Sequence, residues 1–301
     1  MRGSVLDRYG VTAADLLGSG GEAEVYALGT DRVLRLHRHE AARYAEQIGE
    51  LYAHLDRGAV PYALPEVLEV HGDGEVSWSI ERRLPGRSFD QVLGELRGPA
   101  RAGALRAYLD GAAMFSALGR PPGWAGGCGE LFTAERLRAD RWGDLVAERL
   151  LLQAEQAREL VAPHLPGFDD AVRAIVEEAR GTGSDGAPSL VHGDWFPGNV
   201  LVGDDLEVSA AIDLGWLTVV GDPDHDVAAA AVFCEVHPWL RPGDREVLVA
   251  AAERHLGPGA AERIDRARRA EQLRFAFVAE DEHLHRWCLD GLRAAAEASP
   301  A

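Results

Sequence analysis

The dominant hydrophobic period of this chain changes at Pro85-Gly86, and that change restricts the fold more than any other feature. Before it, apolar residues alternate in short runs divided by glycine turns, the period of a half-buried strand. Residues 15 to 36, DLLGSGGEAEVYALGTDRVLRL, read as two short strands around a glycine-rich turn, a second turn at Gly29 to Asp31, and a third strand. Glu40 to Leu55 then sets Ala41, Tyr44, Ala45, Ile48, Leu51, Tyr52 and Leu55 along one helical face. LPEVLEVHGDGEVSWSIERRLPG returns to alternation as two strands joined by the GDG turn. From Ser88 onward Arg101 to Leu118, Ala134 to Leu165 and Ala171 to Arg180 predict helices, GTGSDGAPS reads as a linker, and the chain after Asp222 is mostly helical. One hairpin interrupts this half, NVLV and LEVSAAI around GDDL. The succession predicts an α+β protein of two lobes, a small antiparallel-sheet lobe with one helix over residues 1–84 and a larger, mainly helical lobe over residues 85–301. A chain of 301 residues is long enough for such lobes to share a sizeable core.

Charge and cysteine use exclude several classes. The 31 basic residues, every one an Arg, face 49 acidic ones, for a formal net charge of −18. A nucleic-acid partner needs a basic surface and is not expected; the acidity suits solubility, or a cationic small substrate drawn by the field. Apolar runs such as Val227 to Cys234 are too short to span a bilayer, and MRGSVLDRYG has no apolar core of a secretory signal. Cys128, Cys234 and Cys288 are odd in number and lack CxxC spacing. A cytoplasmic protein without disulfides or a zinc site is expected.

The candidate chemistry lies in LVHGDWFPGNVLVGDDLEVSAAIDLGW, residues 190 to 216. Asn199 opens one strand of the hairpin and Asp213 follows the end of the other, so antiparallel pairing brings them to the same end of the ribbon. An amide oxygen and a carboxylate are hard ligands suited to Mg²⁺, which keeps several waters and completes its shell with phosphate oxygens. Asp194, five residues before Asn199, could accept a proton from an attacking hydroxyl. Other assignments remain open from the residues alone: Asp194 as a turn cap, and Asn199 and Asp213 as hairpin-end hydrogen-bonding groups. In GDPDHDVA, Asp222 reads as an N-cap, Pro223 as the first helical residue, and Asp224 and Asp226 as acids of the first turn, which makes Asp222 and Asp226 scaffold.

HGDWFPGN followed by IDLGWLTVVGDPDHDVA resembles the aminoglycoside phosphotransferase and choline kinase-like family, small-molecule kinases with a protein-kinase-like fold. The resemblance runs from LGSGGEAEVY through ERRLPG to GDPDHD. It implies Asp194 as catalytic residue, His192 as the residue that orients its loop, and Asn199 and Asp213 as holders of Mg²⁺. It further implies that Gly18, Ser19, Gly20 and Gly21 cover the phosphates of ATP or GTP with their backbone. Arg35 stands where a protein kinase carries a phosphate-gripping Lys, in a chain with no Lys at all. Glu46, or alternatively Glu50, would pair with it. Adenine would meet the backbone of Glu81, Arg82 and the residues up to Leu84. Trp195, Phe196 and Trp216 flank the catalytic residues, and Glu280, Asp281 and Glu282 could line an acceptor cleft for a polycationic aminosugar; a core position for the tryptophans and a solvated helix face for the acids are the alternatives.

The activity implied is transfer of a phosphoryl group from ATP or GTP to a hydroxyl of a small, amine-bearing molecule such as an aminoglycoside, with choline, homoserine, a sugar or a macrolide as other acceptors. Two competing functions are a metal-dependent hydrolase built on His192, Asp194, Asp213, His225, Asp226 and His237, and a nucleotide-binding pseudokinase suggested by Arg35.

Overall fold

A computed structural model describes residues 2–21, 23–38, 42–72, 76–132 and 136–298. The first lobe comprises α1 (Arg2–Tyr9), β1 (Leu16–Ser19), β2 (Ala23–Leu28), β3 (Arg32–His37), α2 (Ala42–His54), β4 (Val67–Gly72) and β5 (Ser77–Arg82). Its sheet runs β1-β2-β3-β5-β4, antiparallel throughout. The strands form where expected, but burial does not alternate along them: β1 is exposed throughout, and β3 and β5 are buried on both faces; α1 was not anticipated. Residues 40 and 41 of the predicted helix, and most of the predicted GDG turn, lie outside the described residues.

Alternation gives this sheet two unlike faces. Leu34 and Leu36 of β3 and Trp78 and Ile80 of β5 pack with Tyr26 and with Val5 of α1. The opposite parity puts Arg35, His37, Ser77, Ser79 and Glu81 on the other face, and all five are buried. A buried polar face on a central strand is costly unless it is paired or meets a ligand.

The second lobe holds β6 (Arg87–Ser88), α3 (Phe89–Glu95), α4 (Gly98–Phe115), β7 (Cys128–Glu130), β8 (Arg138–Ala139), α5 (Trp142–Val161), α6 (Phe168–Arg180), β9 (Ser189–Val191), β10 (Val200–Val202), β11 (Val208–Ala211), β12 (Val219–Gly221), α7 (His225–Phe233), α8 (Asp244–Leu256), α9 (Ala260–Arg274) and α10 (Glu282–Ala298). The predicted hairpin is β10–β11, joined by β6 into a three-stranded sheet. A second sheet, β8-β7-β12-β9, was not expected. Of the single helix predicted over 134–165, residues 134 and 135 lie outside the described residues; among the described ones α5 begins at Trp142, because Arg138 pairs with Gly129 and Ala139 with Cys128. Two- and three-residue strands are too short to display a period of two.

One core joins the lobes. Ile48, Leu51 and Tyr52 of α2, with Val60, Tyr62 and Leu64 after it, share a cluster with Phe89, Leu105, Tyr108, Trp195, Val200, Leu214 and Val232. Each such side chain contributes about 1.5–3 kcal/mol on burial. The chain between α2 and β4 also bonds to the hairpin, Ala63 N to Ser209 O at 2.9 Å and Ala211 N to Ala63 O at 3.2 Å. A second cluster packs α5, α6 and α10 through Leu150, Ala157, Phe168, Ile175, Cys288 and Leu292. All three cysteines are buried and unpaired. No helix among the described residues is long and apolar enough to cross a membrane.

Candidate active site

The loop from His192 to Asn199 leaves β9 through a tight left-handed turn. Gly193 has φ of +75°, and a Cβ there would stand 2.0 Å from the Leu217 carbonyl oxygen. Only glycine fits. The amides of His192 and Gly193 donate to the two carboxylate oxygens of Asp226, at 2.7 and 2.9 Å. Asp226, on α7, is therefore no helix-end ornament: it clamps the loop backbone from inside the core. Burial pushes its carboxyl up, the two amides and the Arg274 charge pull it back, and the balance lies at about 7. Arg274 of α9 donates to Gly193 O at 3.1 Å and pairs with buried Glu271 at 3.0 Å.

His192 is fully buried. Its Nε2 meets Ile212 O at 2.9 Å and its Nδ1 accepts from Asp194 N at 3.3 Å. Burial lowers its pKa to about 4, so the ring is neutral, with Nε2–H donating to the Ile212 carbonyl and Nδ1 accepting; with both nitrogens committed it orders the loop and is no proton shuttle. Helix α7 starts later than expected, at His225 with Asp224 as N-cap residue, yet Asp222 Oδ1 still accepts from Asp224 N at 3.1 Å in the turn before it. The same carboxylate accepts from Ser184 N and Oγ, at 3.0 and 2.5 Å, and so ties the predicted linker down.

Asn199 and Asp213 do meet at one end of the ribbon. Val200 faces Ala211, and Ile212 N donates to Asn199 O at 2.9 Å, which leaves Asp213 one residue beyond Asn199's partner. Asp213 has φ of +66°, a left-handed conformation that aspartate tolerates. Asn199 Nδ2 donates to Asp194 Oδ2 at 2.8 Å and to Asp194 O at 3.1 Å, so its amide oxygen is the atom left that could ligate a cation. Burial acts to raise the Asp213 carboxyl, but the Arg35 charge and hydrogen bond outweigh it and hold the pKa below the usual range. An ionised carboxylate and an amide oxygen fit Mg²⁺, provided that phosphate and water supply the remaining ligands.

Arg35 crosses the cleft from β3. Its Nη2 lies 2.5 Å from Asp213 Oδ1, and its Nε 3.7 Å from Glu81 Oε1. The expected pairing with α2 is absent: Glu46 and Glu50 are both exposed. Helix α2 contributes Tyr52 instead, whose hydroxyl donates to Leu214 O at 3.0 Å. Gly18 and Ser19 end β1 and Gly20 and Gly21 form the exposed turn, with Gly20 N bonded to Ala23 O at 3.0 Å. A Cβ on Gly18, Gly20 or Gly21 would meet nothing within 4 Å, so the protein itself does not require glycine there. In the stretch expected to meet the base, the amides of Arg82 and Arg83 are spent on Glu66 O and Asp31 O, each at 2.9 Å. A base would have to use carbonyls or the Leu84 amide.

The acceptor residues separate. Trp195 is fully buried, its Nε1 bonded to Tyr108 O at 3.2 Å and its ring set against Tyr62, Phe115 and His192, which makes it core. Trp216 is exposed. Glu280 and Glu282 point to solvent, Glu282 with Arg286 at 2.5 Å. Asp281 alone of the acidic run comes inward: it caps α10 through Leu284 N at 3.0 Å and lies 3.2 Å from His237 Nε2. Phe196, two residues past Asp194, packs on Phe233, His237 and Trp239. The six residues of the competing hydrolase cluster do not converge. His225 faces Glu271, His237 faces Asp281, and among the described residues no three His, Cys, Asp or Glu side chains gather as a metal site.

Chains of known structure share this architecture over almost their full length. A thermostable mutant of aminoglycoside phosphotransferase APH(4)-Ia superposes with TM-score 0.66 at 21% identity, covering 99% of both chains. The streptomycin–ATP complex of APH(2'')-IIa gives 0.60 at 13% identity over 97% of this chain and 94% of that one. Macrolide 2'-phosphotransferase MphH from Brachybacterium faecium gives 0.57 at 18% identity over 96% of each. No curated protein matches in sequence. The family profile described as the phosphotransferase enzyme family, APH, matches residues 14–271, from the turn just before β1 to the helix that anchors Gly193, and the chain belongs to that family.

Proposed function

We propose that this protein transfers the γ-phosphoryl group of ATP or GTP to a hydroxyl of a small, amine-bearing molecule such as an aminoglycoside. Residues 1–84 would bind the nucleotide and residues 85–301 the acceptor. The observation that carries the reading is the Asn199–Asp194 hydrogen bond beside Asp213, with the Arg35 guanidinium facing them from the sheet. Asp194, aimed by the Asn199 amide, takes the hydroxyl proton as the acceptor oxygen bonds to phosphorus and the bond to the bridging oxygen breaks, releasing nucleoside diphosphate. Arg35 grips the phosphates, and the Gly18–Gly21 turn lays backbone over them. Asn199 and Asp213 would hold Mg²⁺, which when bound neutralises charge on the phosphate oxygens. Rigid anchoring of the loop by Asp226 keeps Asp194 in place without reorganisation.

A net charge of −18 and the inward Asp281 favour a cationic acceptor. The Phe196, His237 and Trp239 rings beside the loop support a second acceptor class, a macrolide or other sugar-bearing apolar molecule. Coupled assays with ATP and GTP against aminoglycosides, macrolides, peptide antibiotics and amino alcohols test the proposal. Asp194→Ala should reduce turnover by at least about a thousandfold while ADP affinity stays within a few-fold. Retained turnover in that variant would remove Asp194 from the mechanism, and no turnover by the wild type with any acceptor would favour a pseudokinase.

A further inference from the structure

We propose that Glu81, an acid of the same sheet as Arg35, is the residue that positions the phosphate-gripping guanidinium, in place of any acid on helix α2. The inference rests on the kinase reading above and deepens it.

A guanidinium as buried as that of Arg35, 8% exposed, must be paired. Among the described residues it has two carboxylate partners, and they have unequal futures. Asp213 belongs to the hairpin of the large lobe and is the one carboxylate of the proposed Mg²⁺ site. Once committed to a dication, it is no longer the counter-charge of Arg35. Phosphate oxygens would then take over the Nη side of the guanidinium, while the Glu81 carboxylate, 3.7 Å from Nε, keeps its charge beside the other edge. Glu81, on the Nε side, is the partner that can stay.

Glu81 is built to stay. It is itself 8% exposed, and Ser79 Oγ donates to its Oε1 at 2.7 Å. Ser79 lies directly across from Arg35 in the β3–β5 register, and Glu81 is the next residue on the same face, so one rigid sheet carries the guanidinium, its carboxylate and the hydroxyl that orients the carboxylate. His37, the neighbour of Arg35 on that face, adds no competing charge: burial and the Arg35 charge lower its pKa to about 4, with Asp213 opposing. Helix α2 offers only exposed acids at Glu46 and Glu50. The aim of Arg35 is consequently independent of where α2 sits.

The test is calorimetric binding of ADP to the full-length protein, in EDTA and again in MgCl₂, for wild type, Glu81→Gln, Glu81→Asp, Ser79→Ala and Glu46→Gln, with Tm recorded for each. Glu81→Gln should weaken ADP about tenfold in both conditions, Glu81→Asp and Ser79→Ala less, and Glu46→Gln less than about twofold. In turnover assays the loss should enter through KM for the nucleotide as well as kcat, whereas a merely structural residue would lower Tm and leave both constants of the folded fraction unchanged. A folded Glu81→Gln that binds ADP as the wild type does, or a Glu46→Gln that loses as much, overturns the inference while leaving the kinase reading intact. Should Glu81→Gln not fold, Ser79→Ala decides, and ADP affinity equal to that of Glu46→Gln overturns it. Absence of ADP binding by the wild type would remove the proposed function, and this inference with it.

Discussion

Replacing Gly193 by Ala tests whether the loop that carries Asp194, the proposed catalytic residue, is held as rigidly as its contacts require. A β-carbon at that position would lie 2.0 Å from Leu217 O and 2.8 Å from Leu217 C, both backbone atoms, so no side chain can swing aside. The Leu217 segment cannot readily yield either: next to it, Thr218 Oγ1 donates to His192 O at 3.1 Å and accepts from Gly215 N at 3.1 Å. Something must move by about 1 Å to restore a normal contact. An L-residue at φ of +75° costs about 1–2 kcal/mol, and the overpacking about 1–3 more, for a total of roughly 2–5 kcal/mol. At about 2 °C per kcal/mol in a chain this long, Tm should fall by roughly 4–10 °C. Asp194 is the next residue, and a displacement near 1 Å of a reacting group costs on the order of a hundredfold in rate. Scanning fluorimetry and kcat/KM on the same preparation measure both. A Gly193→Ala protein with wild-type Tm and wild-type turnover would refute the clamp, since it would mean that the Asp226 and Thr218 contacts leave the loop free to shift at no cost.

Two further outcomes follow from buried groups. His192 and His37 have pKa values lowered to about 4 and His225 to about 3, so between those values and the ordinary 6.5 the unfolded chain binds more protons and stability falls as pH falls. Asp226 works the other way, its folded value of about 7 lying above the ordinary 3.8, so that it regains stability as pH falls below 7. From pH 7 to 5 the histidines cost roughly 2 kcal/mol each and Asp226 returns about 2–3, a net loss of about 3–4 kcal/mol. Equal urea midpoints at pH 7 and 5 would contradict the burial of neutral histidines. Trp195→Phe leaves a void under the loop and removes the donor to Tyr108 O, at a cost of about 2–4 kcal/mol. The lowered Tm should come with an acceptor KM within about twofold of wild type; a large KM change would return Trp195 to the acceptor site.

How much of this was legible depends on whether a pattern is local. The hairpin with Asn199 and Asp213 at one end follows from two short apolar runs and a turn, all within 15 residues, and the alternation of β3 and β5 likewise. Asp226 is different. Its partners His192 and Gly193 lie 34 and 33 residues away, and its place in a first helical turn gave a sufficient local account of an acid. A signal was present nonetheless: Asp226 is followed by VAAAAVF, a run buried on all sides, and a carboxylate at the head of such a run needs buried donors. Glu81 carried a similar signal. Ser77, Ser79 and Glu81 alternate with Trp78 and Ile80, so the acid belongs to the inner polar face of β5, whereas the spacing along α2 favoured Glu46 only by likeness. Trp195 sat beside catalytic residues in sequence, yet in a strand-to-turn transition adjacent side chains diverge, and its ring goes to the core that Asp194 avoids.

The anchors divide the site unequally. On the acceptor side, the loop that carries Asp194 is fastened by Asp226 from α7, by Arg274 from α9 and by Tyr108 from α4, whose hydroxyl donates to Trp195 O. On the nucleotide side, Arg35 and Glu81 ride on a sheet that reaches the large lobe through Tyr52 to Leu214, through Ala63 to the hairpin, and through Arg35 to Asp213. The first two of these bonds join groups that bind no ligand in the proposed reaction and can persist through a catalytic cycle. The third joins the proposed phosphate grip to the proposed Mg²⁺ ligand and would be exchanged when a metal-bound nucleotide enters. In Asp213→Asn, where that pair loses its charge, metal-free ADP should bind at least as tightly as in the wild type even as turnover is lost.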